Sequence, residues 1–204
     1  MKKSIAIYGG AFSPPHIGHL RAARAFLEQS GAGQLIIMPT KIPPHKILDL
    51  GAGDVDRMNM ARLCFESDPI LKGKCEVSDH EMSVCGVSYT INTVEHFRSL
   101  GYEDISILIG TDMLLSFESW YRFRDLFSFV TVYYIDRDED KRKECEDCAI
   151  EYSLKYGAKI RHLECPVFEL SSTDIRSLIK NDGNTEGLVS EGVRGYIEKN
   201  GLYR

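Results

Sequence analysis

The sequence predicts an α/β fold in which a doubly wound, mainly parallel sheet is covered by helices on both faces. Short apolar runs rich in β-branched residues alternate with stretches of helical periodicity, which is typical of parallel strands joined by crossover helices. Residues 105–109 (ISILI) form an almost continuous apolar run, as expected for a strand buried on both faces. The length of 204 residues, 43% of them hydrophobic, suits one domain spanning residues 1–204.

The first elements predict a β-α-β unit. Residues 4–8 are a short apolar run, and apolar residues then recur at helical spacing over residues 17–27. Residues 30–33 (SGAG) stop this helix, and residues 35–38 (LIIM) are the next strand. We expect the two strands to be parallel and joined by a right-handed crossover.

The alternation continues to the end of the chain. Further strands are predicted at residues 75–78, 105–109, 129–135 and 159–163. Further helices are predicted at residues 54–67, 90–100, 113–117, 123–126, 141–156, 173–181 and 187–199. The irregular segment 40–53 (TKIPPHKILDLGAG) is best explained as a functional loop within the domain.

Charge and hydropathy argue against two kinds of partner. The formal net charge is −5, whereas a nucleic-acid surface usually needs a basic face. No run approaches the ~18 apolar residues of a membrane helix, and the first apolar run is too short for a signal peptide. We therefore expect a cytoplasmic protein that binds neither nucleic acid nor a membrane.

Cysteine spacing gives little sign of a metal. Among six cysteines only Cys145 and Cys148 form a C-x-x-C pair. A structural zinc site needs four ligands, and this pair has no second pair or neighbouring histidine. Free thiols in a reducing compartment are the expected state.

The first candidate site is the segment 9–19 (GGAFSPPHIGH), which joins the first predicted strand to the first predicted helix. Open α/β sheets bind ligands at such junctions. Gly9 and Gly10 have no Cβ, so the backbone can turn sharply and a phosphate can approach its N–H groups. His16 and His19 are three residues apart and share one helix face. They can donate hydrogen bonds to phosphate oxygens that gain charge during substitution.

Other interpretations of this segment are weaker. A lone histidine would more readily be a surface or capping residue, but the pairing of His16 and His19 beside two glycines favours function. The segment matches neither G-x-G-x-x-G nor G-x-x-x-x-G-K-[ST]. A hydride-transfer enzyme and a P-loop NTPase are therefore disfavoured.

The second candidate site is the segment 170–176 (LSSTDIR), which opens a helical pattern. Ser171, Ser172 and Thr173 are residue types that cap helices, so an ordinary helix start with Arg176 on the surface stays open. In the functional interpretation, the helix N-terminus and Arg176 bind the phosphate groups of a ligand.

These two segments resemble the signatures of the nucleotidyltransferase superfamily. Residues 16–19 (HIGH) resemble its (H/T)-x-G-H signature, and residues 170–176 resemble its I-S-S-T-x-I-R motif with Leu170 for the usual Ile. Class I aminoacyl-tRNA synthetases share the HIGH motif but carry a K-M-S-K-S loop. That loop does not occur in this sequence, which sets the synthetases aside.

Further stretches are similar to bacterial nicotinate mononucleotide adenylyltransferases. They are PPHK at 43–46, GVSYTINT at 86–93, IGTDM at 109–113 followed by Trp120, VRGYI at 193–197 and GLY at 201–203. The resemblance implies a Rossmann-like nucleotidyltransferase fold. It also implies an enzyme that transfers AMP from ATP to nicotinate mononucleotide in NAD biosynthesis, forming nicotinate adenine dinucleotide and pyrophosphate.

The same resemblance implies roles for individual residues. His16, His19 and Arg176 would be catalytic. The residues expected to bind ATP are Gly9, Gly10, Ala11, Phe12, His16, His19, Gly110, Asp112, Ser171, Ser172, Thr173 and Arg176. The residues expected to bind the mononucleotide are His45, Lys46, Thr90, Trp120, Tyr121 and Arg137. Within the latter group, Trp120 would stack on the pyridine ring, and backbone amides near Thr90 and Tyr121 would meet the nicotinate carboxylate.

Simpler alternatives stay open for several of these residues. They are an ordinary loop lysine for Lys46, core packing for Trp120, helix capping for Asp112 and a surface position for Arg137. The sequence also departs from the family twice, with Ala11 in place of Thr or Ser and Ser13 in place of Asp or Asn. We expect these departures to have a modest effect on nucleotide binding.

The implied chemistry is a direct in-line displacement. A phosphate oxygen of the mononucleotide would attack the α-phosphorus of ATP, and the protein would position two anions and neutralise charge. Mg²⁺ would accompany ATP and keep most of its waters, without a dedicated protein site. A transferase for nicotinamide mononucleotide, FMN or another phosphate acceptor is the nearest rival, and a non-catalytic nucleotide-binding module is the rival from another class. The sequence leaves a homodimer open.

Overall fold

A computed structural model describes residues 3–41, 51–84, 86–136, 139–166 and 170–204. The strands in these ranges are β1 (Lys3–Gly10), β2 (Gln34–Pro39), β3 (Cys75–Val77), β4 (Tyr102–Gly110), β5 (Val130–Ile135) and β6 (Lys159–His162). They form one six-stranded sheet in the order β3-β2-β1-β4-β5-β6. Every neighbouring pair is parallel.

Helices connect these strands and close the chain. The α-helices in the described ranges are α1 (Ile17–Ser30), α2 (Asp54–Ala61), α3 (His80–Ser83), α4 (Thr90–Ser99), α5 (Thr111–Leu115), α6 (Phe123–Phe129), α7 (Arg142–Tyr156), α8 (Ser172–Lys180) and α9 (Glu191–Asn200). A π-helical segment covers Arg62–Glu66, and 3-10 turns cover Phe117–Ser119 and Glu139–Lys141.

The strand order creates a crevice at the carboxyl ends of the two central strands, β1 and β4. From β1 the chain runs outward to β2 and β3, then returns to place β4 on the other side of β1. Ile7 of β1 lies beside Ile36 of β2 and Ile107 of β4. The connections leaving the carboxyl ends of β1 and β4 therefore diverge, and open α/β sheets bind ligands at such a switch point.

Side chains of β1 alternate between two apolar cores. Ala6 and Tyr8 pack with buried residues of α1 and α9 on one face of the sheet. Ile5 and Ile7 pack with buried residues of α4 and α6 on the other face. Burial on both faces explains the almost continuous apolar strands. The predicted doubly wound α/β sheet is confirmed.

Several local differences separate the prediction from the structure. The predicted helix 54–67 changes to π geometry after Ala61. The closing helix begins at Glu191 rather than at residue 187, because the Ser190 side chain accepts a hydrogen bond from the Val193 N–H at 3.4 Å and caps it there. Helix α3 was not predicted, since four residues are too few to show a helical period.

Two further sequence predictions concern the whole chain. Among the described residues, no helix combines the length and apolarity needed to cross a bilayer. That residues 1–204 form one domain stays a prediction.

The C-x-x-C pair lies on α7, where Cys145 is buried and both thiols are free. Burial raises the pKa of Cys145 to about 11.

Candidate functional site

A cavity of about 1420 Å³ opens where the carboxyl ends of β1 and β4 diverge. Fifteen residues predicted to bind ligand line it: Gly9, Gly10, Ala11, Phe12, His16, His19, Thr90, Gly110, Asp112, Trp120, Tyr121, Ser171, Ser172, Thr173 and Arg176. Three other predicted residues, His45, Lys46 and Arg137, lie outside the described residues. The structure thus places the two candidate segments around one hollow, while the role of each residue stays a prediction.

Direct hydrogen bonds join the two candidate segments. Arg176 of α8 donates from Nη1 to the main-chain carbonyl oxygen of Ser13 at 2.8 Å. The Ser172 hydroxyl donates to the carbonyl oxygen of Pro14 at 2.9 Å. Residues more than 150 positions apart in sequence therefore form one wall of the cavity.

The two histidines cap α1 together. His16 is the N-cap residue with extended backbone, so it precedes the helix instead of sharing a helix face with His19. The His19 Nδ1 accepts from the His16 backbone N–H at 3.2 Å, and the His16 Nδ1 accepts from the His19 backbone N–H at 3.4 Å. Their rings lie 3.7 Å apart between centroids. The capping alternative considered for these histidines is thus realised.

Capping and ligand binding use different atoms of these rings. Because Nδ1 accepts a hydrogen bond in both His16 and His19, the proton of each neutral ring resides on Nε2. Both residues line the cavity. The capping arrangement therefore fixes the tautomer that makes Nε2 a hydrogen-bond donor.

Close packing explains Gly10, the second of the two glycines. A Cβ at Gly10 would meet the Phe12 ring at 3.0 Å, which is tighter than nearly all such contacts in proteins. Phe12 is buried and has a φ of 48°, in the left-handed region that non-glycine residues seldom adopt. At Gly9 a Cβ would meet only the Met38 carbonyl oxygen, at 3.9 Å. Glycine at position 10 thus lets Phe12 keep its place without a shift of the ring, whereas position 9 leaves room for an approaching group.

A buried arginine that the sequence did not single out also fixes this loop. Arg57 on α2 is 1% exposed. Its Nη1 donates to the carbonyl oxygens of Ala11 at 3.0 Å and Thr40 at 2.7 Å, and its Nη2 donates to Asp54 at 2.7 Å. Within a helical pattern Arg57 has the appearance of a surface residue. A faint signal was Asp54 three residues earlier, the spacing of an ion pair.

The C-terminal end of the chain reaches the same loop. The hydroxyls of Ser13 and Tyr203 lie 3.0 Å apart and are both buried. Burial raises the pKa of Tyr203 to about 12, so its hydroxyl stays neutral. Ser13 stands where the family commonly has Asp or Asn, and its small hydroxyl fits beside the Tyr203 hydroxyl.

Aromatic side chains form the opposite part of the cavity. Trp120 is half-buried and stacks on Phe117, with centroids 4.7 Å apart and an interplanar angle of 15°. Tyr121 is exposed and lies 4.7 Å from the Tyr89 ring. Thr90 opens α4 next to them. Core packing thus accounts for one face of Trp120, while the residue also borders the cavity.

Ser171 and Asp112 differ in how they relate to the helices beside the cavity. Ser171 is the N-cap of α8, and the Asp174 carboxylate accepts from the Ser171 N–H at 2.8 Å. The hydroxyl and N–H of Ser171 lower the pKa of Asp174. Asp112 does not cap α5, whose N-cap is Gly110. Its carboxylate forms an ion pair with Lys141 at 2.8 Å.

Among the described residues, no group of three His, Cys, Asp or Glu side chains could hold a metal ion.

Comparison with known proteins identifies the family. A sequence-family model described as cytidylyltransferase-like matches residues 7–178 of this chain. The nicotinate-nucleotide adenylyltransferase of Bacillus subtilis is 31% identical to this chain, and the alignment covers 98% of each. A protein of Caldicellulosiruptor bescii named "Probable nicotinate-nucleotide adenylyltransferase" is 34% identical, again over 98% of each chain.

Solved structures show the same fold. The nicotinic acid mononucleotide adenylyltransferase of Plasmodium falciparum complexed with NaAD superimposes with a TM-score of 0.80 at 19% identity, and the match covers 98% of this chain and 97% of that chain. The family match, the near-complete coverage of both relatives and the geometry of the cavity agree. The chain therefore belongs to the cytidylyltransferase-like family and, within it, to the nicotinate-nucleotide adenylyltransferases.

Proposed function

We propose that this chain transfers AMP from ATP to the phosphate of nicotinate mononucleotide, forming nicotinate adenine dinucleotide and releasing pyrophosphate. One observation carries the proposal. The Arg176 guanidinium bonds to the Ser13 carbonyl, and so the two nucleotide-binding segments share a single cavity. The names of the relatives support the choice of substrates, as does the NaAD complex of the Plasmodium enzyme.

The triphosphate of ATP is assigned to the part of the cavity between β1 and α8. Main-chain N–H groups near Gly9 and Gly10 can face phosphate oxygens, and Nε2 of His16 and His19 can donate to the α-phosphate. The N-terminus of α8 adds partial positive charge. Arg176, the fifth residue of this helix, neutralises charge on the departing pyrophosphate.

The acceptor is assigned to the aromatic part of the cavity. The pyridine ring stacks on Trp120, and backbone amides near Thr90 and Tyr121 receive its carboxylate. We also assign the acceptor phosphate to His45 and Lys46 and retain Arg137 as a candidate for the same nucleotide. These last three roles rest on the family resemblance alone.

The reaction needs no covalent enzyme intermediate. The attacking phosphate oxygen is already an anion, and it forms a P–O bond to the α-phosphorus while the bond to pyrophosphate breaks with its electron pair. The protein holds both anions in line and stabilises charge that develops on the α-phosphate and the leaving group. Mg²⁺ would enter with ATP and would supply charge neutralisation at the phosphates.

An acceptor screen tests the proposal. The protein is incubated with ATP and Mg²⁺ and, in separate reactions, with nicotinate mononucleotide, nicotinamide mononucleotide, FMN or no acceptor, and pyrophosphate and dinucleotide are measured. We expect the highest kcat/KM with nicotinate mononucleotide and no release without an acceptor. ATP binding without turnover of any acceptor would instead identify a non-catalytic nucleotide-binding module.

A further inference from the structure

The indole ring of Trp120 is the outer member of a stack of three aromatic rings. Phe117 lies against Trp120, with ring centroids 4.7 Å apart and an interplanar angle of 15°. Phe127 of α6 lies against Phe117, with centroids 4.5 Å apart and an angle of 14°. The three rings are therefore nearly parallel, and Phe117 is the middle member that contacts both of the others.

Burial decreases along this stack toward the cavity. Phe127 and Phe117 belong to the apolar core that also contains Ile7 of β1, and Phe117 is fully buried. Trp120 is half-buried and lines the cavity, whereas Phe117 does not line it. Because Phe117 covers one face of the indole, a flat ligand that stacks on Trp120 must use the other face.

Main-chain hydrogen bonds fix the position of Trp120 but not the orientation of its ring. The Trp120 N–H donates to the carbonyl oxygen of Phe117 at 3.0 Å, and the Phe123 N–H donates to the carbonyl oxygen of Trp120 at 3.1 Å. The indole can still turn about its two side-chain torsions. In the described part of the chain, Phe117 is the one aromatic residue in ring contact with the indole, so this contact sets the orientation.

The chemistry of the acceptor suits an indole platform held in this way. The ring of a pyridine mononucleotide carries the ribose on its nitrogen and is therefore a flat cation, which the face of an indole attracts. A platform that is already oriented avoids the cost of ordering a side chain when the ligand binds. An aliphatic residue at position 117 would fill similar space but would offer the indole no flat face to stack on.

We propose that Phe117 is a positioning residue that holds the Trp120 indole in the orientation that receives the pyridine ring of the acceptor. The inference rests on the proposed function, because it takes the acceptor ring to stack on Trp120. Phe117 acts through Trp120 alone, since it does not line the cavity. Acid and amide mononucleotides carry the same ring, so both should depend on Phe117, whereas ATP should not.

The test uses the fluorescence of Trp120, the only tryptophan in the chain. The protein is titrated with nicotinate mononucleotide in the presence of a non-hydrolysable ATP analogue, and the emission gives the Kd. Phe117→Leu removes the ring and should raise this Kd roughly three- to tenfold, the factor that corresponds to the loss of an aromatic stack. In steady-state assays KM for the acceptor should rise by a similar factor, with kcat and KM for ATP unchanged.

The matched control is Phe26→Leu on α1. Phe26 is also fully buried and in contact with one ring, that of Tyr133 at 5.3 Å, but it lies in the core on the other face of the sheet. This variant should lose comparable stability and keep the wild-type Kd. If Phe117→Leu does not fold, Phe117→Met serves instead, because its flexible side chain adapts to the space and also lacks a flat face.

The outcomes separate this inference from the proposed function. A folded Phe117→Leu or Phe117→Met protein with a Kd within about twofold of the wild-type value overturns the role of Phe117, and so does an equal rise of KM for ATP and for the acceptor. Wild-type turnover without any change of Trp120 emission on binding also overturns it, while the proposed function stands. Binding of the mononucleotide without formation of dinucleotide overturns the proposed function, and the Kd values then decide the role of Phe117 on their own.

Discussion

The Arg176 guanidinium lies 2.8 Å from the main-chain carbonyl oxygen of Ser13 and donates a hydrogen bond to it. Its other terminal nitrogen donates to the Thr173 hydroxyl at 3.0 Å. Arg176 therefore positions the loop after β1 as well as contributing charge to the cavity. A lysine could supply charge but not two bonds in a planar fork.

Replacement of Arg176 should reduce turnover more than acceptor binding. We expect Arg176→Ala to lower kcat roughly 10²-fold or more, because charge on the leaving group loses its stabilisation. Arg176→Lys should recover only part of this loss. Steady-state release of pyrophosphate with each substrate varied in turn gives kcat and both KM values.

The control for Arg176 is Arg194→Ala on α9, whose partner Glu191 is 4.0 Å away and exposed. This variant should have wild-type kcat. A wild-type kcat for Arg176→Ala would contradict the assigned role.

The histidines allow capping and chemistry to be separated. Asparagine is a good N-cap residue, so His16→Asn should keep the cap on α1 while losing the Nε2 donor. We expect a thermal midpoint close to that of the wild-type protein and a kcat lower by roughly 10²-fold. His16→Ala should lose about 1 kcal/mol of stability in addition.

His19→Ala tests the partner ring. If it acts as a preorganised donor, kcat should fall roughly 10²- to 10³-fold. Thermal denaturation and turnover are measured on the same preparations. Unchanged kcat in His16→Asn and His19→Ala would leave these residues with a capping role only.

Tyr203 should affect the binding of ATP, because it contacts the loop after β1. Tyr203→Phe removes the hydroxyl that faces Ser13 at 3.0 Å. We expect a loss of about 1 kcal/mol of unfolding free energy and a raised KM for ATP, with the KM for the acceptor unchanged. Urea denaturation and initial rates measure these quantities.

A double-mutant cycle isolates the Tyr203 contact. If the two hydroxyls interact, Ser13→Ala combined with Tyr203→Phe should cost less stability than the sum of the single changes. Strict additivity would show that the two hydroxyls contribute independently. In that case the Tyr203 hydroxyl would act through groups other than Ser13, such as the Met60 sulfur at 3.8 Å.

Local sequence patterns predicted most of this architecture. The strands were recognised because burial on both faces leaves almost continuous apolar runs, as at residues 105–109. The place of His16 beside the start of α1 followed from its position between a strand and a helical pattern, although His16 caps the helix and does not share a helix face with His19. These signals come from residues close together in the sequence, so a single sequence is enough to recognise them.

Contacts between distant segments were not predictable in the same way. Arg57 is fully buried against Ala11 and Thr40, yet its sequence neighbours are those of a surface helix. Tyr203 pairs with a serine 190 positions away. Each depends on tertiary packing, which sequence periodicity does not record.

An ion pair remote from the cavity should make stability depend on pH. Asp68 is buried and accepts hydrogen bonds from Arg24 and from the backbone N–H groups of Ile70 and Leu71. Burial raises the pKa of Asp68, but the Arg24 and backbone bonds outweigh it and hold the pKa below its ordinary value. The folded state therefore binds this proton less readily than the unfolded state.

The sign of the effect follows from this depressed pKa. The stabilisation is complete above the unfolded pKa of about 3.9 and is lost as pH falls through the folded pKa. Asp68→Asn should lose about 1 to 2 kcal/mol at neutral pH, a value reduced because Arg24 is partly exposed, and should show a shallower acid decline. Urea denaturation between about pH 3 and pH 7 measures both, with Asp147→Asn in the exposed pair with Lys143 as control. An acid decline as steep in Asp68→Asn as in the wild-type protein would place the responsible carboxylates elsewhere.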